Sequence, residues 1–227
     1  MWQDWLVIVK AGTSMSESTS WWLLAASAVL WALYEALVLW TEARHPERVA
    51  RALHARMRVD WVSALGRQPG FEVVAVQTLR NSLMSATISA STAALALMGT
   101  ITLAAPRLSG MSAHDLSPVS PRTVLEIALM LVLFASFVCS AMAMRYFNHA
   151  GFVMSMPTAS AERQPLIPLA AGYVGRAGLL YSWGLRCFLA IAPLVAGIVT
   201  PVATLPMTFA LIAVLWLFDR PARPALG

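Results

Sequence analysis

Apolar runs long enough to cross a bilayer decide what this chain can become. Residues 20–40, 83–105, 124–144 and 177–199 each hold a stretch of bilayer-spanning length with few charges, where about 20 apolar residues cover ~30 Å of hydrocarbon. Inside that layer each peptide group must find its partner within its own segment, so the stretches are helices. A fifth run, 202–218, is at the short limit. Pro201 and Pro206 stand at its start, where proline is tolerated, and Asp219, Arg220 and Arg223 close it, so it counts as a span. The alternative is a re-entrant hairpin with the fourth run. The composition agrees: 59% apolar and 12% charged residues, with a mean hydropathy of +0.68, lie outside the range of soluble domains. The expected fold is all-α, a polytopic transmembrane helix bundle of about five spans.

Arginine sets the expected orientation, because cytoplasmic loops retain basic residues. The first long loop carries Arg44, Arg48, Arg51, Arg56, Arg58 and Arg67; the loop after the third span adds Arg145, Arg163 and Arg176; the tail adds Arg220 and Arg223. The other side has Lys10, Arg107 and Arg122. This puts the amino terminus outside and the carboxyl terminus in the cytoplasm, as an odd number of spans requires. The net charge of +5 then reflects this bias and an affinity for anionic lipid, not for nucleic acid.

Residues 1–19 read as an outer interfacial segment. Asp4 interrupts any signal-peptide core, while Trp2, Trp5, Leu6 and Ile8 fit a short amphipathic piece on the membrane surface. Residues 20–227 form a single membrane helical domain. Within it, 46–68 reads as a cytoplasmic amphipathic helix, with Val49, Leu53, Met57, Val59 and Trp61 among arginines, expected to lie along the headgroups. Pro69-Gly70 ends it and starts the helix that becomes the second span. Cys139 and Cys187 both fall within spans and match neither a disulfide framework nor a zinc spacing, so no metal or cofactor is expected.

Along the second span Ser82, Ser85, Ser89, Thr92, Ala96 and Gly99 recur every three or four residues on one face, and Ala86, Ala90, Ala93 and Ala94 keep most of the remainder small. Small residues let helices approach closely, so this helix is expected at the centre of the bundle.

Ionisable groups inside spans are costly and need partners or a task. Arg186 lies about ten residues into its apolar run and Glu35 is its natural counter-ion. Arg80 and Asn81, Arg145, Asn148 and His149, and Arg176 stand at the inner ends of their helices, and with Arg186 they are expected to meet in one cytoplasm-facing cavity that presents guanidinium donors to an anion or headgroup. Structural ion pairing is the plainer explanation of the same distribution.

Particular residues carry a resemblance. The run Ala75-Val76-Gln77-Thr78-Leu79-Arg80-Asn81-Ser82-Leu83-Met84-Ser85-Ala86-Thr87 with Ser91-Thr92-Ala93, the block Arg145-Tyr146-Phe147-Asn148-His149, and Arg176 with Trp183-Gly184-Leu185-Arg186, Pro193-Leu194, Pro201 and Leu217-Phe218-Asp219 resemble three motifs of a membrane family found in bacteria and plants, domain of unknown function 599. The resemblance implies a multi-pass protein, here of the bacterial inner (plasma) membrane, and marks Arg80, Asn81, Arg145, Asn148, His149, Arg176 and Arg186 as motif positions. It implies no catalytic role for any of them.

No phosphate loop, nucleophile elbow, paired-histidine zinc helix or intramembrane protease dyad can be read, so nothing points to an enzyme. The leading expectation is an oligomeric channel or binding protein for anions or anionic headgroups, with anionic membrane lipids, and copies of itself or a larger membrane complex, as partners. A structural or scaffold subunit is the alternative; an enzyme acting on lipid headgroups comes third.

Overall fold

Helices α1 (Glu17–Arg44), α2 (Ala50–Leu65), α3 (Glu72–Ser109), α4 (Pro121–Ser155), α5 (Ile167–Leu189), α6 (Ile191–Val199) and α7 (Pro201–Asp219) follow one another in the computed structural model, which describes residues 16–109 and 120–220. No strand occurs among them. Five segments are long and apolar enough to cross a membrane: α1, α3, α4, α5 with α6, and α7. The sequence-derived fold class therefore holds. Most of the interfacial segment expected over 1–19, and the tail with Arg223, lie outside the described residues.

Local chemistry explains the boundaries. Ser16 caps α1 and Ser120 caps α4, each side chain accepting the backbone N–H three residues on. Gly70 turns the chain between α2 and α3 at φ 85°, a left-handed conformation that glycine adopts freely. The fourth span breaks at Ala190 into α5 and α6. Pro193 lies three residues beyond, and with no N–H it cannot bond the carbonyl one turn back.

The helices differ in length, and this shapes the molecule. At 1.5 Å per residue, the 19 residues of α7 cover about 28 Å, one bilayer core, whereas the 35 of α4 cover about 52 Å. The excess of α3, α4 and α5 projects from one end and joins α2 around a core of Val62, Leu79, Phe147, Met154, Ile167 and Val174.

Two expectations change here. Helix α2 does not lie flat. It runs antiparallel to α5: Arg51 stacks on Trp183, Arg58 lies on Gly178, Val59 meets Gly175, and Gly66 meets Ile167. The physical reason is that its buried face, with Arg51 and Val62, finds protein instead of lipid, while Leu53 and Met57 stay exposed. Helix α3, expected at the centre, packs chiefly on α4 and stands at the edge. Its packing face is the alanine stripe Ala75, Ala86, Ala90 and Ala93 with Leu79. The hydroxyl face needs no neighbouring helix, because Ser82, Ser85, Ser89 and Thr92 each donate to the carbonyl one turn back.

Candidate functional site

Arg186 stands at the junction of three helices. Its Nη1 donates to Glu35 Oε1 of α1 at 2.7 Å, and its Nη2 pairs with Asp219 Oδ1 at the end of α7. Tyr34 donates its hydroxyl to the other Asp219 oxygen at 2.7 Å. The guanidinium is buried, at 5% exposure. Asp219 occupies the last turn of α7, where the helix dipole is negative and disfavours a carboxylate; Arg186 offsets this. One guanidinium thus faces two carboxylates, and Glu35 Oε2 is buried with no hydrogen-bond partner among the described residues. Chemically this is a satisfied cation with acid to spare, not an open anion receptor.

A second polar tie lies beside it. Arg51 of α2 pairs with Glu42 of α1 and stacks over Trp183, 4.9 Å from the ring centroid. At the far end of α2, buried Arg163 donates to the Met156 carbonyl and to Thr158 Oγ1 (3.1 Å) and faces Glu72 at 3.8 Å, holding the α4–α5 loop against the start of α3.

The remaining predicted residues do not converge with Arg186. Arg80 and Asn81 are exposed on α3. Arg145 contacts His149 at 3.5 Å, and His149 and Tyr146 flank Tyr173 of α5 with centroids 5.8 and 5.6 Å away. Arg145, Asn148, His149 and Arg176 are all exposed. Among the described contacts Arg145 is joined to His149, and none joins Arg80, Asn81, Asn148 or Arg176 to the Arg186 cluster.

What the fold does build is a groove of about 510 Å³ between α2 and α3, lined by His54, Met57, Arg58, Trp61, Thr78 and Ser82 among others. Arg58 is half-buried and has no carboxylate partner among the described residues, and burial lowers its guanidinium pKa from the usual value. Thr78 and Ser82 begin the hydroxyl face that Ser85, Ser89 and Thr92 continue by helical spacing.

Sequence reasoning named neither Arg58 nor Asp219 as a site residue. Arg58 was one arginine among six in its loop. The available signal was on the other helix: Gly172, Gly175 and Gly178 recur every three residues in α5, a pattern that admits a close neighbour, and a Cβ on Gly178 would fall on the Arg58 guanidinium. In the sequence Asp219 closes the last span and ends the third motif, and nothing there marks it as a partner of Arg186.

No group of three or more potential metal ligands occurs among the described residues. No curated protein matches the chain. No solved structure matches it either. A family model described as "Protein of unknown function, DUF599" matches residues 22–224, which takes in α2 to α7 and all of α1 beyond Trp21. The chain belongs to that family.

Proposed function

We propose that this multi-pass membrane protein binds a phosphate-bearing anionic headgroup in the groove between α2 and α3. The observation that carries this reading is Arg58, a half-buried guanidinium lining an open groove with no carboxylate partner among the described residues. A desolvated cation without a counter-ion is costly, and a planar guanidinium matches phosphate oxygens in bidentate fashion. His54, Thr78 and Ser82 supply further polar contacts, while Met57, Trp61 and Leu79 offer apolar surface to the glycerol and upper acyl region. The α2 end carries Arg44, Arg48, Arg56, Arg145 and Arg176 as well, so on the positive-inside rule it faces the cytoplasm of a bacterial inner membrane. Binding is favoured over anion conduction because the deepest cation, Arg186, is already engaged by two carboxylates.

The test uses short-chain phosphatidylglycerol, phosphatidylcholine and inorganic phosphate, titrated calorimetrically into protein in neutral detergent. Phosphatidylglycerol should bind tightest, and Arg58→Gln should weaken it about 10- to 100-fold, the loss of a charge-assisted contact. Arg176→Gln, a surface control, should change it little. Equal binding by Arg58→Gln and the parent protein would refute the assignment.

A further inference from the structure

A second space lies inside the spanning part, bounded by α1, α4, α6 and α7, with a volume of about 260 Å³. Ala28, Ala128 and Ala190 leave it open, and Leu125, Pro193 and Leu211 typify its walls. Four side chains break the apolar lining: Ser27 and Trp31 on α1, and Thr204 and Thr208 on α7. Ser27 and Trp31, one turn apart on α1, both border it. Neither Ser27 Oγ nor Trp31 Nε1 has a hydrogen-bond partner among the described residues. Ser27 is 6% exposed, so water outside the protein does not satisfy it. The serines of α3 donate to their own helix, and Thr208 across the cavity donates to the Thr204 carbonyl at 2.8 Å. Ser27 makes no such bond.

The chemistry of the missing partner follows from these groups. An indole N–H only donates, so the occupant must accept. A carbonyl oxygen has two lone pairs for two donors and no proton of its own to strand. A water could accept from Ser27 and Trp31 and donate to the Thr204 or Thr208 hydroxyl, but it would fill little of a space of about 260 Å³ whose remaining walls are apolar and favour an apolar occupant. An anion is disfavoured by the apolar lining and by Glu35, the next residue of the same α1 face, whose cluster already holds more carboxylate than guanidinium. We propose that this cavity binds a neutral hydrophobic molecule through a carbonyl oxygen held by Ser27 and Trp31. Trp31 lies midway along α1, deeper than the ester carbonyls of bilayer lipids, which favours a molecule dissolved in the hydrocarbon core over a lipid ester. This site is separate from the α2–α3 groove and does not depend on it.

Benzophenone, itself a hydrophobic ketone that photolabels neighbouring C–H bonds, tests the idea on the full chain in nanodiscs. Labelling should map to α1 and α7 peptides lining the cavity. Dicyclohexyl ketone should suppress it at roughly 25-fold lower concentration than dicyclohexylmethane, about fivefold for each of two hydrogen bonds. Ser27→Ala with Trp31→Phe should abolish that advantage, and Ala128→Leu, which fills the space, should reduce labelling. Discs of ester-linked and ether-linked lipid separate the sources: equal labelling in both assigns the site to a freely partitioning ketone, whereas suppression by ester lipid alone assigns it to a lipid carbonyl. Equal potency of the two competitors on the parent protein, or labelling scattered over lipid-facing residues, would overturn the proposal even if a variant failed to fold.

Discussion

Replacing Arg186 by methionine removes one cation from between two carboxylates, and the consequence can be worked from the geometry. The variant loses the 2.7 Å contact with Glu35 and the pair with Asp219, and leaves two largely buried acids without that counter-charge. Breaking a buried ion pair from one side costs about 3–5 kcal/mol. Asp219→Asn differs in kind. It keeps an acceptor for Arg186 and leaves one carboxylate for one guanidinium, so only the charge-assisted part of one hydrogen bond is lost, about 1–2 kcal/mol. For a chain of this size each kcal/mol moves Tm by roughly 2–4 °C. Arg186→Met should therefore lower Tm by about 6–20 °C and Asp219→Asn by about 2–8 °C. The triple variant with Glu35→Met and Asp219→Asn added should recover most of the loss, because an apolar replacement strands no charge. Thermal unfolding in mild detergent can be followed with a maleimide dye that reports exposure of Cys139 and Cys187, both unoxidised and partly buried in spans. Equal shifts for Arg186→Met and Asp219→Asn, or a triple variant less stable than Arg186→Met, would refute the reasoning.

Two further outcomes follow from close contacts. At Gly184 an added Cβ would lie 3.0 Å from Ser140 Oγ and 3.3 Å from Cys139 Cβ, so Gly184→Leu should separate α4 from α5, break the Ser136 hydroxyl's bond to the Gly184 carbonyl and cost about 1–3 kcal/mol, read as a lower Tm in the same assay; an unchanged Tm would count against that contact. Arg163→Met should release the 156–166 loop, raising its rate of limited proteolysis roughly tenfold or more through loss of bonds to a charged donor, while cleavage at the α2–α3 turn stays unchanged.

The spans were legible because hydrocarbon tolerates so few sequences: apolar runs of that length admit little else. Glu35 and Arg186 could be paired on paper by scarcity, since few opposite charges share that half of the membrane. Helical phase between elements was not legible. Each of Arg80, Arg145 and Arg176 sits near a helix end in the sequence, yet the direction each faces depends on how its helix is rotated against its neighbours, and no single helix encodes that. The same limit explains α2 and α3. An amphipathic pattern states that one face must be covered, not whether lipid or protein covers it. On α3 two small-residue faces compete, and the choice falls to alanine because serine and threonine can satisfy themselves.

Three of the polar and close contacts close a triangle. Glu42–Arg51 pins α1 to α2, Arg58 rests on Gly178 of α5, and Arg186–Glu35 returns α5 to α1. A chain of pairwise joints can shear at one link, but a triangulated frame cannot distort at one corner without straining another. Tilt imposed on the lipid-facing α1, as when the surrounding bilayer thins, must therefore reach α2 and alter the width of the cleft it borders.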